Sequence, residues 1–391
     1  MAEQNTLNIK NVPLELKLLM ELVRQEPRIE RLEQMNAEGI DWSHFTELVY
    51  HHRLHPLMNS KLKHHVFIPA QVKEQFAFEY KRNMFLMLQL SAEMERVNSV
   101  FQKQEIPLLF LKGPVLAKLL YGDVSLRTSS DLDFLVPMKD LEQAETLLQE
   151  MGYVKDDYID TILGDWKWRH HHVTYYHPVK RTKLEIHWRL HPGPGKEPGF
   201  KELWQRKNVS TVTGRPVYYL GKEDLFYFLT SHGARHGWSR LRWLLDIHHL
   251  VQLDLNWNKA ASLMRKFHRT PTGGQALVLS ENLFGSELPH AVRKHWYSRR
   301  AERLAQDAVF YLENLINLHN EPLPEHISEH HKQHLFSLMS KPQKVLFILS
   351  FLYPYPEDAE LLPLPSGLHW LYFPLRPVLW VWRKTRKHEL T

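Results

Sequence analysis

Between residues 105 and 220 the chain changes its hydrophobic rhythm, and that change sets the fold class. On either side, apolar residues recur at three- and four-residue steps, the period of an amphipathic helix. "PLELKLLMELVRQ" follows this period, and so does the long "PAQVKEQFAFEYKRNMFLMLQLSAEMERVNSVFQKQ", with Pro69 near its start. "DWSHFTELVYHHRLHPLMNSKL" offers Asp41 as a helix cap. Inside the segment the apolar runs are short. "IPLLFLKG" and "DLDFLV" read as buried strands, and "PVLAKLLYGD" between them as a helix with Pro114 in its first turn. "MKDLEQAETLLQEMGY" is an amphipathic helix stopped at Gly152. "WRHHHVTYYHP" and "TKLEIHWRL" form a strand pair turned by "PVKR". "HPGPGKEPG" is a loop, and "TGRPVYYL" one more short strand. The expectation is an α+β protein: a helical region over 1–104, a small mixed sheet with flanking helices over 105–220, and a helical region over 221–391 ending in an aromatic, basic tail.

Two carboxylates open the second strand. Successive side chains of a strand point to opposite faces, so Asp131 and Asp133 share one face, about 7 Å apart, while Leu132 points into the core. Like charges placed there repel. A divalent cation between them removes the conflict, because hard cations take carboxylate oxygens. In "KLEIHWRL" the set Leu184, Ile186 and Trp188 faces inward, which leaves Glu185, His187 and Arg189 opposite. If that strand lies beside the first, Glu185 joins the two aspartates. Three carboxylates on neighbouring strands suit a two-metal phosphoryl-transfer site.

The phosphate side rests on "FLKGPVLAKL", where Gly113 lies between a strand end and a helix start. Backbone N–H groups and the helix dipole favour a phosphate there. Lys112 and Arg127 supply cations at the two ends of this segment, and Ser129 and Ser130 supply hydroxyls to a phosphate or to the turn. Arg127 is equally suited to a structural ion pair with Asp123 or with an aspartate of the site.

In this order, Gly113, a helix, "SSDLDFLV" and "KLEIHW" resemble the polymerase-β-type nucleotidyltransferase superfamily, within it the branch of uncharacterised bacterial nucleotidyltransferases. That branch also has a downstream helical pattern like "SHGARHGWSRLRWLLDIHHL", residues 231–250. The resemblance spans roughly residues 106–250 and is weaker in the N-terminal helices. It implies transfer of an NMP from an NTP, ATP first among them, to a hydroxyl or phosphate acceptor with release of pyrophosphate. By position, Asp131 and Asp133 would bind Mg²⁺, with Mn²⁺ as the alternative. Glu185 would be the third carboxylate, a metal ligand or a base, and Gly113 would hold the triphosphate. The chain departs from the superfamily pattern at Pro114, which removes an N–H donor from the cradle. The grip then leans on Lys112, Gly113 or distant cations.

Other readings compete. An Asp-x-Asp at a strand end is often a turn or a cap. "RHHHVTYYH" invites a histidine-centred metallohydrolase; on a strand His170 and His172 would share a face, with His171 opposite, and a polar strand face by the site or at a sheet edge explains the run as well. His187 could orient Glu185 or touch the nucleotide. In the 231–250 segment, Gly233 and Gly237 read as interruptions, His232, Arg235 and His236 cluster as candidate triphosphate or base contacts, and Arg242 stands four residues before Asp246, spaced for an intrahelical pair. A non-catalytic nucleotide-binding scaffold is the alternative to an enzyme, and the third carboxylate argues against it.

Composition narrows the partners. The chain has no cysteine, which excludes disulfides, thiolate nucleophiles and cysteine-ligated metals. A formal charge of +6 over 391 residues suits an anionic nucleotide and does not describe a nucleic-acid track, so a small molecule or a peptide is the expected acceptor. No leader pattern or apolar run of membrane-spanning length is visible, and the expected compartment is the cytoplasm. The tail "GLHWLYFPLRPVLWVWRKTRKHELT" reads as broken by Pro374 and Pro377, docked on the body by its aromatics or in peripheral contact with a membrane surface.

Overall fold

The computed structural model describes residues 6–156, 166–193, 195–318 and 322–388. Its helices that bear on the site are, in chain order, α1 (Leu14–Leu22), α2 (Trp42–His51), α3 (Ala70–Lys103), α4 (Pro114–Tyr121), α5 (Leu141–Glu150), α6 (Lys222–Arg235), α7 (Leu241–Leu250), α8 (Thr270–Phe284), α9 (Arg299–Glu313) and α10 (Tyr372–His388). The strands are β1 (Leu109–Phe110), β2 (Asp131–Leu135), β3 (Val154–Lys155), β4 (His172–His177), β5 (Thr182–His187), β6 (Asn208–Ser210) and β7 (Val217–Tyr219). The fold is the expected α+β class. β3 and β6 are additions, because "VK" and "NVS" are too short to stand out from a loop.

The seven strands form one open sheet in the order β3-β4-β5-β2-β1-β7-β6. β2 lies parallel to β5 and antiparallel to β1, and β4 pairs antiparallel with β5. Alternation along the central strands divides the sheet into two faces. Leu132, Phe134, Leu184 and Ile186 enter a core with Met94, Val97 and Phe101 of α3 and Leu148 of α5. Leu135 goes the other way, into the core of the surrounding helices. Asp131 and Asp133 are on Leu135's side of the strand.

That second core joins the two ends of the chain. Leu16 and Leu19 of α1, Phe45 of α2, Leu244 of α7, Leu277 of α8 and Leu304 of α9 belong to one buried cluster. Asp41 caps α2 through the backbone N–H groups of Ser43 and His44, as expected. α3 is fastened near the site by Asn83, whose Nδ2 donates to Ser125 O at 2.7 Å.

Two sequence readings are corrected here. α6 runs through Gly233 without a break; a Cβ there would come 2.2 Å from the Trp238 ring, so the glycine serves packing. Beyond the helix end Gly237, at φ +60°, and Trp238, at φ +55°, leave the helical path. Pro377 lies inside α10 and does not end it. A proline removes one helical hydrogen bond, and the turns beyond it persist. α10 buries Tyr372, Arg376 and Leu379 and leaves Val378, Trp380 and Val381 exposed. Among the described residues no helix is long and apolar enough to cross a membrane.

Candidate active site

The site begins where β1 and β2 hand the chain to their flanking turns. Leu111 N donates to Asp133 O at 2.9 Å, which holds the β1 exit against β2. Gly113 follows at φ +80° as the N-cap of α4, with Pro114 next. A Cβ at Gly113 would lie 3.2 Å from Leu132 Cδ2, so a side chain would crowd the strand as well as strain the backbone. The helix N-terminus lies beside the Asp131 backbone but is buried and does not line the site's cavity, and it has one N–H fewer than a non-proline residue would give.

β2 and β5 run in register, with Asp133 opposite Glu185. Asp131, Asp133 and Glu185 thus meet on one face of adjacent strands, the arrangement expected from the sequence. Asp133 is 1% exposed, and its Oδ2 is buried without a hydrogen-bond partner among the described residues. Lys183 Nζ donates to Glu185 Oε1 at 2.7 Å. His187, 3% exposed, puts Nε2 3.4 Å from Asp133 Oδ1 and 3.6 Å from Glu185 Oε2. Lys112 Nζ stands 3.7 Å from Asp133 Oδ1 and 3.1 Å from His232 Nε2.

The electrostatics follow from this crowding. Burial, then the charges of Asp133 and Glu185, push the Asp131 carboxyl up to about 6. Burial acts on Glu185 in the same sense, but the hydrogen bond and charge of His187, with His172 and Lys183, outweigh it and hold the carboxyl well below its usual range. Burial opposes charge on His187 too, yet its two carboxylate neighbours raise its pKa. His232 is pushed far down by burial and then by Lys112, so it is neutral and accepts from the Lys112 ammonium.

These residues line a cavity of about 730 Å³, which also takes in Ser129, Ser130, Arg235 and His236. Ser129 Oγ donates to Asp131 O at 3.1 Å and so orders the turn. Among the described residues Arg235 Nε is buried without a hydrogen-bond partner. Arg53, Arg82, Arg240 and Arg242 line the same cavity, and the sequence reading did not include them among the phosphate contacts. They come from the turn after α2, from α3 and from the start of α7, and no local motif links them. Trp243 lines it as well, with its ring centroid 5.1 Å from that of His236.

Arg127 has a different partner from those anticipated. Its Nε and Nη2 each donate to Asp246 at 2.9 Å, and Tyr121 Oη donates to the same carboxylate at 2.9 Å. The guanidinium is committed to α7, although Arg127 also lines the cavity. Neither Asp123, which caps the turn at Ser125, nor a site aspartate takes it. Asp246 being occupied, Arg242 does not make the intrahelical pair its spacing allowed; Nη1 donates to Thr128 O at 2.6 Å and Thr128 Oγ1 at 2.7 Å. Both arginines therefore fix the loop that feeds β2.

The histidine run also differs from strict alternation. β4 begins at His172, so His171 is outside the strand and its Nε2 lies 3.2 Å from His172 Nδ1. His172 pairs with His187 of β5, while β3 pairs with β4 only at Tyr175 and Tyr176, beyond the run. Two sets of residues offer ligand atoms within 4.8 Å of one another: Asp133, Glu185 and His187, and also His171, His172 and His187. With the orphaned Asp133 Oδ2, these donors fit a divalent cation.

The family described as uncharacterised nucleotidyltransferase matches residues 38–285, more than half of the chain. Among solved structures, ANT(2″)-Ia in complex with adenylyl-2″-tobramycin matches with a TM-score of 0.31 and 14% sequence identity, covering 46% of this chain and 97% of that one. No curated protein matches. The chain belongs to the uncharacterised nucleotidyltransferase family and is a nucleotidyltransferase.

Proposed function

We propose that the protein moves an NMP from an NTP to a hydroxyl or phosphate of its acceptor, in a reaction that depends on a divalent cation, Mg²⁺ or Mn²⁺. The observation that carries this reading is the in-register meeting of Asp133 and Glu185 beside Asp131, with one buried Asp133 oxygen left unpartnered. A cation bound there would offset the charge gathering on the reacting phosphoryl group. Asp131, Asp133 and Glu185 are its ligands. Lys183 and His187 keep Glu185 anionic, which suits it to that role.

The acceptor oxygen attacks the α-phosphorus. The new O–P bond forms as the bond to the β-phosphate bridging oxygen breaks, and that electron pair leaves with pyrophosphate. The acceptor proton passes to a carboxylate of the site or to water as the new bond forms. The triphosphate lies by Ser129 and Ser130, which line the cavity, rather than against the buried Gly113. Lys112, Arg235, Arg53, Arg82 and Arg240, all lining the cavity, neutralise it. These cations compensate for the donor lost at Pro114. ATP is the donor to test first, with His236 and Trp243 as the aromatic side chains that line the cavity for its base. A small molecule or a peptide is the acceptor class that the modest cavity accommodates.

The test is pyrophosphate release from ATP with a pool of small-molecule and peptide acceptors. Asp131→Asn and Asp133→Asn should abolish it while the circular-dichroism spectrum stays that of the wild type. Full activity in both variants would defeat the assignment.

A further inference from the structure

The position of His187 says something about which cation the site takes. Its Nδ1 lies 3.3 Å from Arg189 O. A carbonyl only accepts, so Nδ1 carries a proton and Nε2 is the atom left to face a cation. That Nε2 is buried, has no hydrogen-bond partner, and faces one oxygen each of Asp133 and Glu185. In the metal-free protein a proton on Nε2 serves the two carboxylates; a dication that takes its place meets one imidazole nitrogen and two carboxylate oxygens within 4.8 Å of one another. A backbone carbonyl bonded to the far nitrogen is also how proteins orient a histidine that ligates metal.

The donor set is not one that Mg²⁺ favours. Mg²⁺ takes oxygen ligands and keeps its waters, whereas imidazole suits the borderline first-row dications. Nitrogen is abundant on this side of the cavity, because His171 and His172 bring their own ring atoms within 4.8 Å of His187. On the far side, Asp131 and Asp133 offer oxygen alone.

We propose that Asp133, Glu185 and His187 form a mixed nitrogen–oxygen site for a transition-metal dication of the Mn²⁺, Co²⁺ or Zn²⁺ class, held in preference to Mg²⁺. This rests on the nucleotidyltransferase reading above and names the ion that reading left open. The bare-oxygen pair of Asp131 and Asp133 then serves a second ion that arrives with the NTP.

Pulsed electron paramagnetic resonance on the metal-free full-length protein loaded with Mn²⁺ tests the proposal, with and without a non-hydrolysable ATP analogue. Wild type should show a directly coordinated ¹⁴N in both states, replaced by a ¹⁵N coupling when the histidines are ¹⁵N-labelled. His187→Gln should lose the coupling and bind Mn²⁺ about 10–100-fold more weakly, with Mg²⁺ binding changed far less. The labelled wild type decides the matter even if the variant does not fold. Mn²⁺ bound without nitrogen coupling in either state would overturn the proposal and leave the nucleotidyltransferase reading standing. ATP-analogue binding indifferent to every divalent cation would overturn both.

Discussion

Arg127 grips Asp246 with two hydrogen bonds of 2.9 Å, and this buried clamp ties the loop entering β2 to α7. It sets where the carboxylates stand, because Asp131 begins four residues after Arg127 in the same run of chain. Breaking it by removing one partner leaves an uncompensated buried charge. Asp246→Ala should therefore cost about 3–5 kcal/mol of stability, read as a fall in denaturant midpoint. Arg127→Met with Asp246→Leu should recover much of that loss. If the single variant unfolds at the wild-type midpoint, the clamp is not structural.

The cations beyond the carboxylates carry a prediction that separates binding from folding. Arg53 is exposed and Arg82 more than half so, and both line the cavity. Arg53→Ala or Arg82→Ala should weaken ATP-analogue binding by about tenfold each, the loss of one charge-assisted hydrogen bond, with an unchanged melting temperature. Titration calorimetry at low and high salt checks this, and the deficit should shrink as salt rises.

Asp131 makes the metal-free protein sensitive to pH. Its folded pKa is raised to about 6 from 3.8, so the folded state binds the proton more tightly than the unfolded one. The resulting stability is fully present below about pH 4 and is lost as pH rises through about 6, by at most about 3 kcal/mol before solvent screening. Asp131→Asn should flatten the stability profile across that window. A wild-type profile with no fall between pH 4 and 6 would count against the crowding of the three carboxylates.

Gly233 offers a packing test away from the chemistry. Gly233→Ala puts a Cβ into the Trp238 ring and should cost roughly 1–3 kcal/mol by overpacking, although alanine is the better helix former. A neutral or stabilising result in thermal melts would show that Trp238 can move aside.

Much of the sheet was legible because period and charge agreed. The two-residue alternation in "DLDFLV" and "KLEIHW" placed the acids on one face and the apolar residues on the other, and a parallel β2–β5 pair brought Glu185 to Asp133. Arg127 was readable as a cation near the site but its partner was not. Asp246 lies 119 residues away, and only the packing of α7 brings it there. The same holds for Arg53 and Arg82, on elements whose local pattern is ordinary surface helix or turn. His171 escaped the alternation argument because β4 starts one residue later. Pro377 misled because a proline was read as a helix end, when it removes one bond from a helix that continues.

The central claim is that Asp131, Asp133 and Glu185 bind a divalent cation that in turn binds the triphosphate. Titration calorimetry of a non-hydrolysable ATP analogue into wild type and Asp133→Asn, with Mn²⁺ and with chelator, measures this directly. Wild type should bind the analogue at least about tenfold more tightly with Mn²⁺ than with chelator, a difference of about 1.4 kcal/mol, and Asp133→Asn should lose that gain at an unchanged melting temperature. Equal binding with and without Mn²⁺, or an Asp133→Asn variant that keeps the full metal effect, would contradict it.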